Sequence, residues 1–422
     1  MKVAVIGAGV IGITTAYELA LDGHEVTVFE RRSTAAEEAS FANGSLIAPA
    51  WLASLANVGR TSNLFWPTTA NPGGLRLTGL SGHAQWAWFW RWQRAARAPL
   101  QTERQAALFR LAAFSLERLT AISTEERLEY DRSQGLLVLW RSEREAALAR
   151  SALPGLREQG AVMRELDATQ ARLIEPSLNP DTTLAGALEL PTGMAANCRQ
   201  FTLQLKSLAQ LRGCHFQFGC EVARLDTTGH GVTLTLSAGN TAPQPFDAAV
   251  LCAGSAGAAL LRPLGWQAPT QTVYGHSVSA AVREPLDAPL SAVIDARHQI
   301  SISRLGQRVR VAGGTTLGGR PGRLSASEMR RLYRVLMDWF PGAARLGGPQ
   351  GSVQEWRGAQ VLVPDALPLL GESSVPRIWL NLAHGSGGWA LACGCARALA
   401  DQMHGRASDI DLDPFSPARI KA

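Results

Sequence analysis

The sequence predicts an α/β protein with two domains, one built on a parallel sheet and the other an α+β domain built on an antiparallel sheet. A strand, glycine turn, helix and strand follow one another in the first thirty residues, and a continuous apolar strand that ends in a small-residue turn occupies 248–255. Strand-like segments then succeed one another between 276 and 313 without helices between them. At 422 residues the chain is long enough for two such domains.

The N-terminal pattern predicts a Rossmann-like dinucleotide site. An apolar run at 2–6 precedes the motif GAGVIG, a helix follows, and the next strand ends at Glu30. Gly7 permits a tight turn, Gly9 lets a pyrophosphate approach the backbone, and Gly12 lets helix and strand pack closely. The acid at the strand end can accept the ribose hydroxyls. A lone glycine motif is weak evidence, but here the strand, the helix and the acid agree.

A loop rich in small and polar residues follows the first nucleotide-binding unit. Arg31 and Arg32 begin it, and the segment ASFANGSL at 39–46 continues it. The arginines suit either a phosphate or ordinary surface charge. The hydroxyl, amide and backbone donors of the loop suit either a ligand or a simple linker.

The stretch at 51–80 looks irregular, and a tryptophan-rich helix is predicted after it. Trp86, Phe89 and Trp90 share one side of that helix, and Trp88 and Trp92 widen the apolar arc. Such a helix packs into the second domain or anchors the protein at a membrane interface, where indoles are enriched. Residues 105–122 form an amphipathic helix with one buried face.

The remaining elements follow from periodicity and from turn residues. Helices are expected at 142–159, 199–212 and 325–340, the last capped by Ser325 with Glu328 in the capping-box position, and a final helix runs to about 404. The apolar strand at 248–255, which ends in a small-residue turn, is of the buried parallel kind. A strand-and-turn stretch around 191–193 is expected at 185–197. Other strands are expected at 135–140, 215–218, 221–225, 232–236, 276–283, 298–304, 308–313, 352–363 and 377–382.

Composition excludes several classes of protein. The net charge is +6, but no block of like charge suggests nucleic-acid binding. The six cysteines show no metal-ligand spacing, so no metal site is expected. Because the first strand begins at residue 2, no signal peptide is expected. Because no apolar run reaches 18 residues, no membrane-spanning helix is expected either. A cytoplasmic protein is expected, with peripheral contact to the inner membrane as an open alternative.

Four motifs in order make the chain similar to a known family. They are GAGVIG with Glu30, the loop ASFANGS, the strand end VLCAGS at 250–255 and the segment NLAHGSGGWALACG at 381–394. Together they resemble the FAD-dependent D-amino-acid oxidase superfamily, and within it the bacterial D-amino-acid dehydrogenases. The resemblance covers nearly the whole chain.

The resemblance implies how FAD and the two domains are arranged. The FAD-binding domain would comprise 1–50, 195–265 and 350–422, and the substrate domain 51–194 and 266–349. Backbone N–H groups and a helix N-terminus after His384 would stabilise the pyrimidine end of the flavin. The implied FAD-binding residues are Gly7, Ala8, Gly9, Val10, Ile11, Gly12, Glu30, Arg31, Ser40, Asn43, Gly44, Ser45, Leu46, Val222, Ala253, Gly254, Gly385, Gly387, Gly388 and Trp389.

Two departures from the family pattern concern the substrate. Where the family commonly has the arginine of W-x-G-x-R-P, often near the substrate carboxylate, this chain has Gln360, and Arg357 should face the other side of the strand. The family's Gly-Tyr-Ser reads Gly275-His276-Ser277. Arg304, in an Ile-x-Arg strand, and His384 complete the predicted substrate pocket with Gln360 and His276. For His276, His384 and Arg304, the alternative to a role in the pocket is a purely structural one.

The resemblance implies oxidation of the C–N bond of an amine or amino acid. Hydride would pass to flavin N5, and the imine would be hydrolysed by water, with no side chain indispensable as a base. Because the family arginine is absent, a bulkier, less acidic or cyclic amine is expected. Electrons would leave to a quinone or to oxygen. The alternatives are a flavin-binding subunit of a hetero-complex, or a flavoenzyme that oxidises a C–O or ring C–C bond.

Overall fold

The computed structural model describes residues 1–55, 76–77, 82–96, 101–151, 153–237, 242–318, 323–348 and 352–420. Most of the stretch at 51–80 therefore lies outside the described residues. Within the described ranges the chain forms two large sheets and two small ones. The mixed α/β architecture predicted from the sequence is confirmed.

The first large sheet has the strand order β10-β2-β1-β14-β21-β20. All neighbouring pairs are parallel except the last, in which β20 is antiparallel to β21. The parallel strand predicted within 248–255 is thus confirmed as β14, and the predicted turn follows it. The strands are β1 (Lys2–Ile6), β2 (Glu25–Glu30), β10 (His215–Phe218), β14 (Ala248–Leu251), β20 (Leu369–Glu372) and β21 (Ile378–Leu382).

Both faces of this sheet are covered, which explains why β14 and residues 3–6 of β1 are apolar throughout. Val3 and Val5 pack into a core shared with helices, and Ala4 and Ile6 point into a second core on the other face. The helices on the first face are α1 (Val10–Leu21), α4 (Gln101–Glu125), α8 (Cys198–Leu211) and α11 (Gly388–Met403). The other face is covered by an antiparallel sheet of β11 (Val222–Thr228), β12 (Gly231–Leu236) and β13 (Gln244–Phe246), and by α9 (Gly257–Leu261).

The second large sheet has nine strands in the order β19-β15-β18-β17-β16-β6-β8-β7, with β4 paired to β18. The segments predicted at 276–283, 298–304 and 308–313 are confirmed as three of its antiparallel strands. The strands are β4 (Arg76–Leu77), β6 (Leu136–Trp140), β7 (Arg164–Leu166), β8 (Gly186–Glu189), β15 (Gln271–Ala281), β16 (Ala292–Asp295), β17 (Ile300–Leu305), β18 (Arg308–Leu317) and β19 (Gln354–Leu362).

The remaining elements connect or cover the two large sheets. A small sheet joins β3 (Leu46–Ile47), β9 (Met194–Ala196) and β5 (Arg132–Gln134). The predicted boundary at 350 assigns β19 to the first domain, yet β19 pairs along its length with β15 of the second sheet. The other helices are α2 (Pro49–Leu55), α3 (His83–Ala96), α5 (Glu143–Arg150), α6 (Leu153–Glu158), α7 (Ala168–Ile174) and α10 (Ala326–Trp339).

Two helix predictions need correction. The helix expected at 142–159 is two short helices, because the ring of Pro154 and its missing N–H do not allow the turn at Arg150 to continue. Ser325 does cap α10 by accepting from the N–H of Glu328. The Glu328 carboxylate does not close a capping box with Ser325, however, and pairs instead with Arg76 at 2.6 Å.

Candidate active site

Three turns meet at one edge of the parallel sheet. They follow β1, β14 and β21, which are adjacent and point the same way, so their carboxyl ends lie together. Gly7 has φ +107°, and a methyl group there would lie 2.7 Å from the carbonyl oxygen of Cys252. A methyl group at Gly12 would lie 1.8 Å from the oxygen of Gly7. The close approach of turn, helix and neighbouring strand therefore requires glycine at both positions.

Glu30 and Ser40 complete the surroundings of the glycine turn. The Glu30 carboxylate accepts the N–H of Ala8 at 2.7 Å and that of Arg32 at 2.8 Å. Ser40 Oγ accepts the N–H of Val10 at 3.0 Å. In the described chain Gly9, the residue before α1, supplies no side-chain cap, so the first turn of the helix presents N–H groups to an anion.

Other predicted nucleotide residues have different surroundings. Arg31 pairs with Glu38 at 2.8 Å on the surface, and Val222 is buried in the apolar core behind the sheet. Gly254 begins the turn after β14 with φ +51°. These positions are compatible with a nucleotide along the sheet edge, and the residue assignments remain predictions.

A cavity of about 1740 Å³, including its open mouth, extends from this edge between the two sheets. Its walls combine the loop at 39–46, the segment at 384–391 and the second sheet. Of the predicted residues it is lined by Asn43, Gly44, Ser45, Leu46, His276, Gln360, His384, Gly387 and Trp389. The cavity is also lined by six residues that no sequence pattern had marked for the pocket: Trp51, Gln299, Ser301, Ala312, Gly313 and Trp356.

Gln360 faces the cavity. It lies on β19 opposite Val273 of β15, and its Nε2 is 3.0 Å from where a methyl group on Gly275 would stand. Its Oε1 is buried without a hydrogen-bond partner among the described residues. Arg357, three positions earlier, lies over the ring of Tyr274 and donates to the oxygens of Arg323 and Gly318. The side chain at the position of the family arginine is therefore an amide with a free acceptor.

Arg304, which was predicted for the substrate pocket, does not line this cavity. Its Nε and Nη1 donate to the carbonyl oxygens of Gly306 and Pro285. Ser301 lines the cavity, and side chains alternate along β17, so Arg304 shares the opposite face with Ile302. An Ile-x-Arg pattern does not show which face of the sheet meets the ligand.

The two histidines differ in how they meet the cavity. His276 borders it, but its Nδ1 donates to the oxygen of Gly314 at 2.8 Å and is not available to a ligand. Burial lowers the pKa of His276 and lowers the pKa of His384 to about 3. His384 Nε2 donates to Asn381 Oδ1 at 2.9 Å, since the amide nitrogen of Asn381 donates to Thr15 Oγ1. Both imidazoles are neutral, and a hydrogen-bond chain orients His384.

The cavity has an uncharged, partly aromatic wall. Among the described residues that line it, none is Asp, Glu, Lys or Arg. Four tryptophans, Trp51, Trp92, Trp356 and Trp389, contribute apolar surface. The side-chain oxygens of Gln299 and Gln360 are buried acceptors without partners in the described chain. A ligand with N–H donors and an apolar body would satisfy both features.

Comparison with known proteins places this arrangement in a family. A family model described as FAD dependent oxidoreductase matches residues 2–402. The chain belongs to this family. The resemblance seen in the sequence is confirmed: this protein is an FAD-dependent oxidoreductase, and its cofactor is FAD.

Its relatives include D-amino acid dehydrogenases and solved flavoenzymes. The one from Allorhizobium ampelinum is 32% identical over 424 aligned positions, covering 100% of this chain and 99% of the relative. The one from Cereibacter sphaeroides is 34% identical over 424 positions, covering 100% and 96%. The glycine oxidase of Geobacillus kaustophilus superimposes with a TM-score of 0.75 at 22% identity over 100% of this chain and 99% of its own, which shows the shared fold.

The residues at the sheet edge fit FAD. The glycine turn leaves the backbone bare where a pyrophosphate would approach, and the Glu30 carboxylate would supply an acceptor for a ribose hydroxyl. The cavity beyond it is bordered by the loop at 39–46 and by the segment at 384–391, where the ring system would lie. When bound, FAD supplies the two-electron acceptor of the reaction.

Replacing Glu30 by glutamine should weaken FAD binding by about tenfold, because a hydrogen bond to a charged acceptor becomes one to a neutral amide. The dissociation constant can be measured by titrating the apoprotein with FAD and following flavin fluorescence. Glu37→Gln is the matched control, since the hydrogen bond that the described chain gives the Glu37 carboxylate is a long one, from Ser33 Oγ at 3.4 Å. Equal affinities of the two variants would remove Glu30 from the site.

Proposed function

We propose that this protein oxidises the C–N bond of an amine or amino acid to an imine, which water hydrolyses. The observation that carries the proposal is the cavity shared by the loop at 39–46 and the segment at 384–391, beside the nucleotide turn. The relatives named D-amino acid dehydrogenase support the same bond as the target. The predicted residues Gly7 to Gly12, Glu30, Ser40 and Asn43 to Leu46 would hold FAD, with Gly385 to Trp389 at its pyrimidine end.

The protein contributes position, desolvation and a fixed field. The apolar walls exclude water from the substrate, and the N-terminus of α11 directs its partial positive charge to this end of the site. The substrate amine must be neutral to give up hydride. Because burial lowers the pKa of both His276 and His384, neither imidazole brings a charge to the site. The protonation of the substrate itself then sets the pH dependence of the reaction.

The substrate is proposed to differ from a small D-amino acid. Gln360 occupies the position where the family commonly has arginine, and no lysine or arginine is among the described residues that line the cavity. An amide cannot match the bidentate, charged pairing that arginine gives a carboxylate. The tryptophan wall and the two amide oxygens favour a bulkier, less acidic or cyclic amine.

The test is an anaerobic titration of the purified, flavin-loaded protein with a panel of substrates. Neutral and cyclic amines should bleach the yellow flavin faster than D-alanine does. Bleaching by hydroxy acids but by no amine would favour oxidation of a C–O bond, and no bleaching by any compound would favour a flavin-binding subunit. An oxygen electrode, with and without a quinone, then identifies the electron acceptor.

We also propose that the outer face of α3 contacts a membrane rich in anionic lipid. No helix in the described part of the chain is both long and apolar enough to cross a bilayer. On α3, however, Trp86 and Trp90 are 42% and 58% exposed, whereas Trp88 is 3% exposed and packs inward. Arg91 and Arg94 are exposed beside them. Exposed indoles flanked by arginines suit the headgroup region of such a bilayer.

The double replacement Trp86→Ser and Trp90→Ser should lower co-sedimentation with anionic vesicles several-fold, because interfacial indoles supply much of the binding energy. Leu211→Ser is the control, since Leu211 is 83% exposed on another helix. Unchanged sedimentation of the double variant would contradict membrane contact through α3. Trp88 is not replaced, because its side chain is buried and its loss would disturb packing.

A further inference from the structure

Arg310 is a buried cation that pairs with no carboxylate among the described residues. It is 8% exposed, and its guanidinium donates to Ser279 Oγ at 2.9 Å, to Ser45 Oγ at 3.1 Å and to the carbonyl oxygen of Asn43 at 3.4 Å. All three acceptors are neutral. No carboxylate of the described chain lies within ion-pair distance of it.

Such a group is costly in the absence of an opposing charge. Burial lowers the pKa of Arg310 to about 10, so the guanidinium is still protonated at neutral pH. A chain that keeps an unpaired buried cation has a use for the charge or for its hydrogen bonds. The position of Arg310 shows where both would act.

Arg310 lies one step beyond the cavity wall. Side chains alternate along β18, so Arg310 shares a face with Ala312, which lines the cavity. A methyl group at Gly44 would lie 3.8 Å from the Ala312 side chain, so the loop at 43–45 rests on this face. The guanidinium is therefore directly behind the loop that forms one wall of the cavity.

The loop that Arg310 supports is strained. Ser45 has φ +61°, a left-handed conformation that residues other than glycine adopt at a cost. Three hydrogen bonds hold this conformation. The N–H of Ser45 donates to Asn43 Oδ1 at 3.0 Å, and the N–H of Ala196 donates to the carbonyl oxygen of Ser45 at 2.8 Å. Arg310 donates to the Ser45 hydroxyl. Backbone strain that is held by surrounding hydrogen bonds in this way is typical of active sites and ligand-binding loops.

We propose that Arg310 is the fixed positive charge of the flavin site, which holds the Asn43–Ser45 turn and favours the reduced flavin. Two-electron reduction with uptake of one proton adds one negative charge to the ring, and a nearby cation stabilises that state relative to the oxidised one. The inference rests on the proposed placement of the flavin in this cavity. It assigns Arg310 to tuning and positioning, since the side chain does not line the cavity itself.

The reduction potential of the bound flavin, measured by equilibration with a reference dye, tests this role. Arg310→Met should lower the equilibrium constant for two-electron reduction by about tenfold, which is a fall of about 30 mV. Ser279→Asp, which places a carboxylate beside the guanidinium and keeps it, should lower the potential in the same direction. This second variant tests the charge even if Arg310→Met does not retain flavin.

Two matched variants separate charge from structure. Ser279→Asn has the size of the aspartate variant without its charge, and Arg308→Met removes an exposed arginine two residues away on the same strand. Both should change the equilibrium constant by less than about threefold. Equal potentials for Ser279→Asp and Ser279→Asn would overturn the inference. A wild-type protein that binds no flavin would instead overturn the proposed function.

Discussion

Gln360→Arg should raise kcat/KM for D-amino acids with a free carboxylate by roughly 10- to 150-fold, and it should lower activity on neutral amines. The side chain at 360 points into the cavity, where its oxygen has no partner among the described residues. A guanidinium there would gain a bidentate, charge-assisted bond to the carboxylate, which contributes about 1.5–3 kcal/mol. Steady-state kinetics with D-alanine and with the best neutral amine give both ratios.

Two further variants at the same position show whether geometry or charge decides the result. Gln360→Lys carries a point charge without the planar fork, so it should give a smaller gain. Gln360→Met removes the amide and adds no charge, so it should give none. If the arginine variant loses activity on every substrate, or if its preference is unchanged, Gln360 does not set the specificity of this site.

Gly12→Ala should prevent the nucleotide-binding turn from forming, and little soluble, yellow protein should be recovered. The added methyl group would stand 1.8 Å from the oxygen of Gly7, and this contact joins two backbone segments that cannot rotate away. We expect a loss of more than about 4 kcal/mol of folding free energy. That is a large part of the total stability of a typical domain, which is about 5–15 kcal/mol.

Gly229→Ala is the control for that experiment. Gly229 lies in the exposed turn between β11 and β12, and a methyl group there would meet nothing within 4 Å. Its effect on the melting temperature should be close to zero. A Gly12→Ala protein with the melting temperature and flavin content of the parent would show that the turn can shift, contrary to the packing described above.

The sequence located the nucleotide half of the molecule well because its signals are local. The glycines, Glu30 and the alternation of strand and helix all lie within thirty residues, and each follows from backbone geometry at one turn. The same holds for Ser325, whose cap bond spans only three residues. The helix break at Pro154 was also readable from its ring, and the prediction of one helix there neglected it.

The substrate half depended on relations that no local pattern contains. Whether a residue of a strand faces the ligand depends on register and on which face of the sheet the partner domain covers. Arg304 and Ser301 lie on one strand, and only the tertiary structure shows that the serine faces the cavity. Trp51, Gln299 and Trp356 come together from three distant segments, so their shared wall had no sequence signal.

By itself, the sequence determined the family, the cofactor and the position of the glycine turn, because short-range geometry constrains those residues wherever the rest of the chain lies. The tertiary structure alone decided that Gln360 projects into an uncharged cavity, that the Nδ1 of His276 is engaged by Gly314, and that Arg310 stands behind Ser45 with no carboxylate paired to it among the described residues. Those outcomes follow from strand register, from side-chain alternation and from the packing of one sheet against the loop of another.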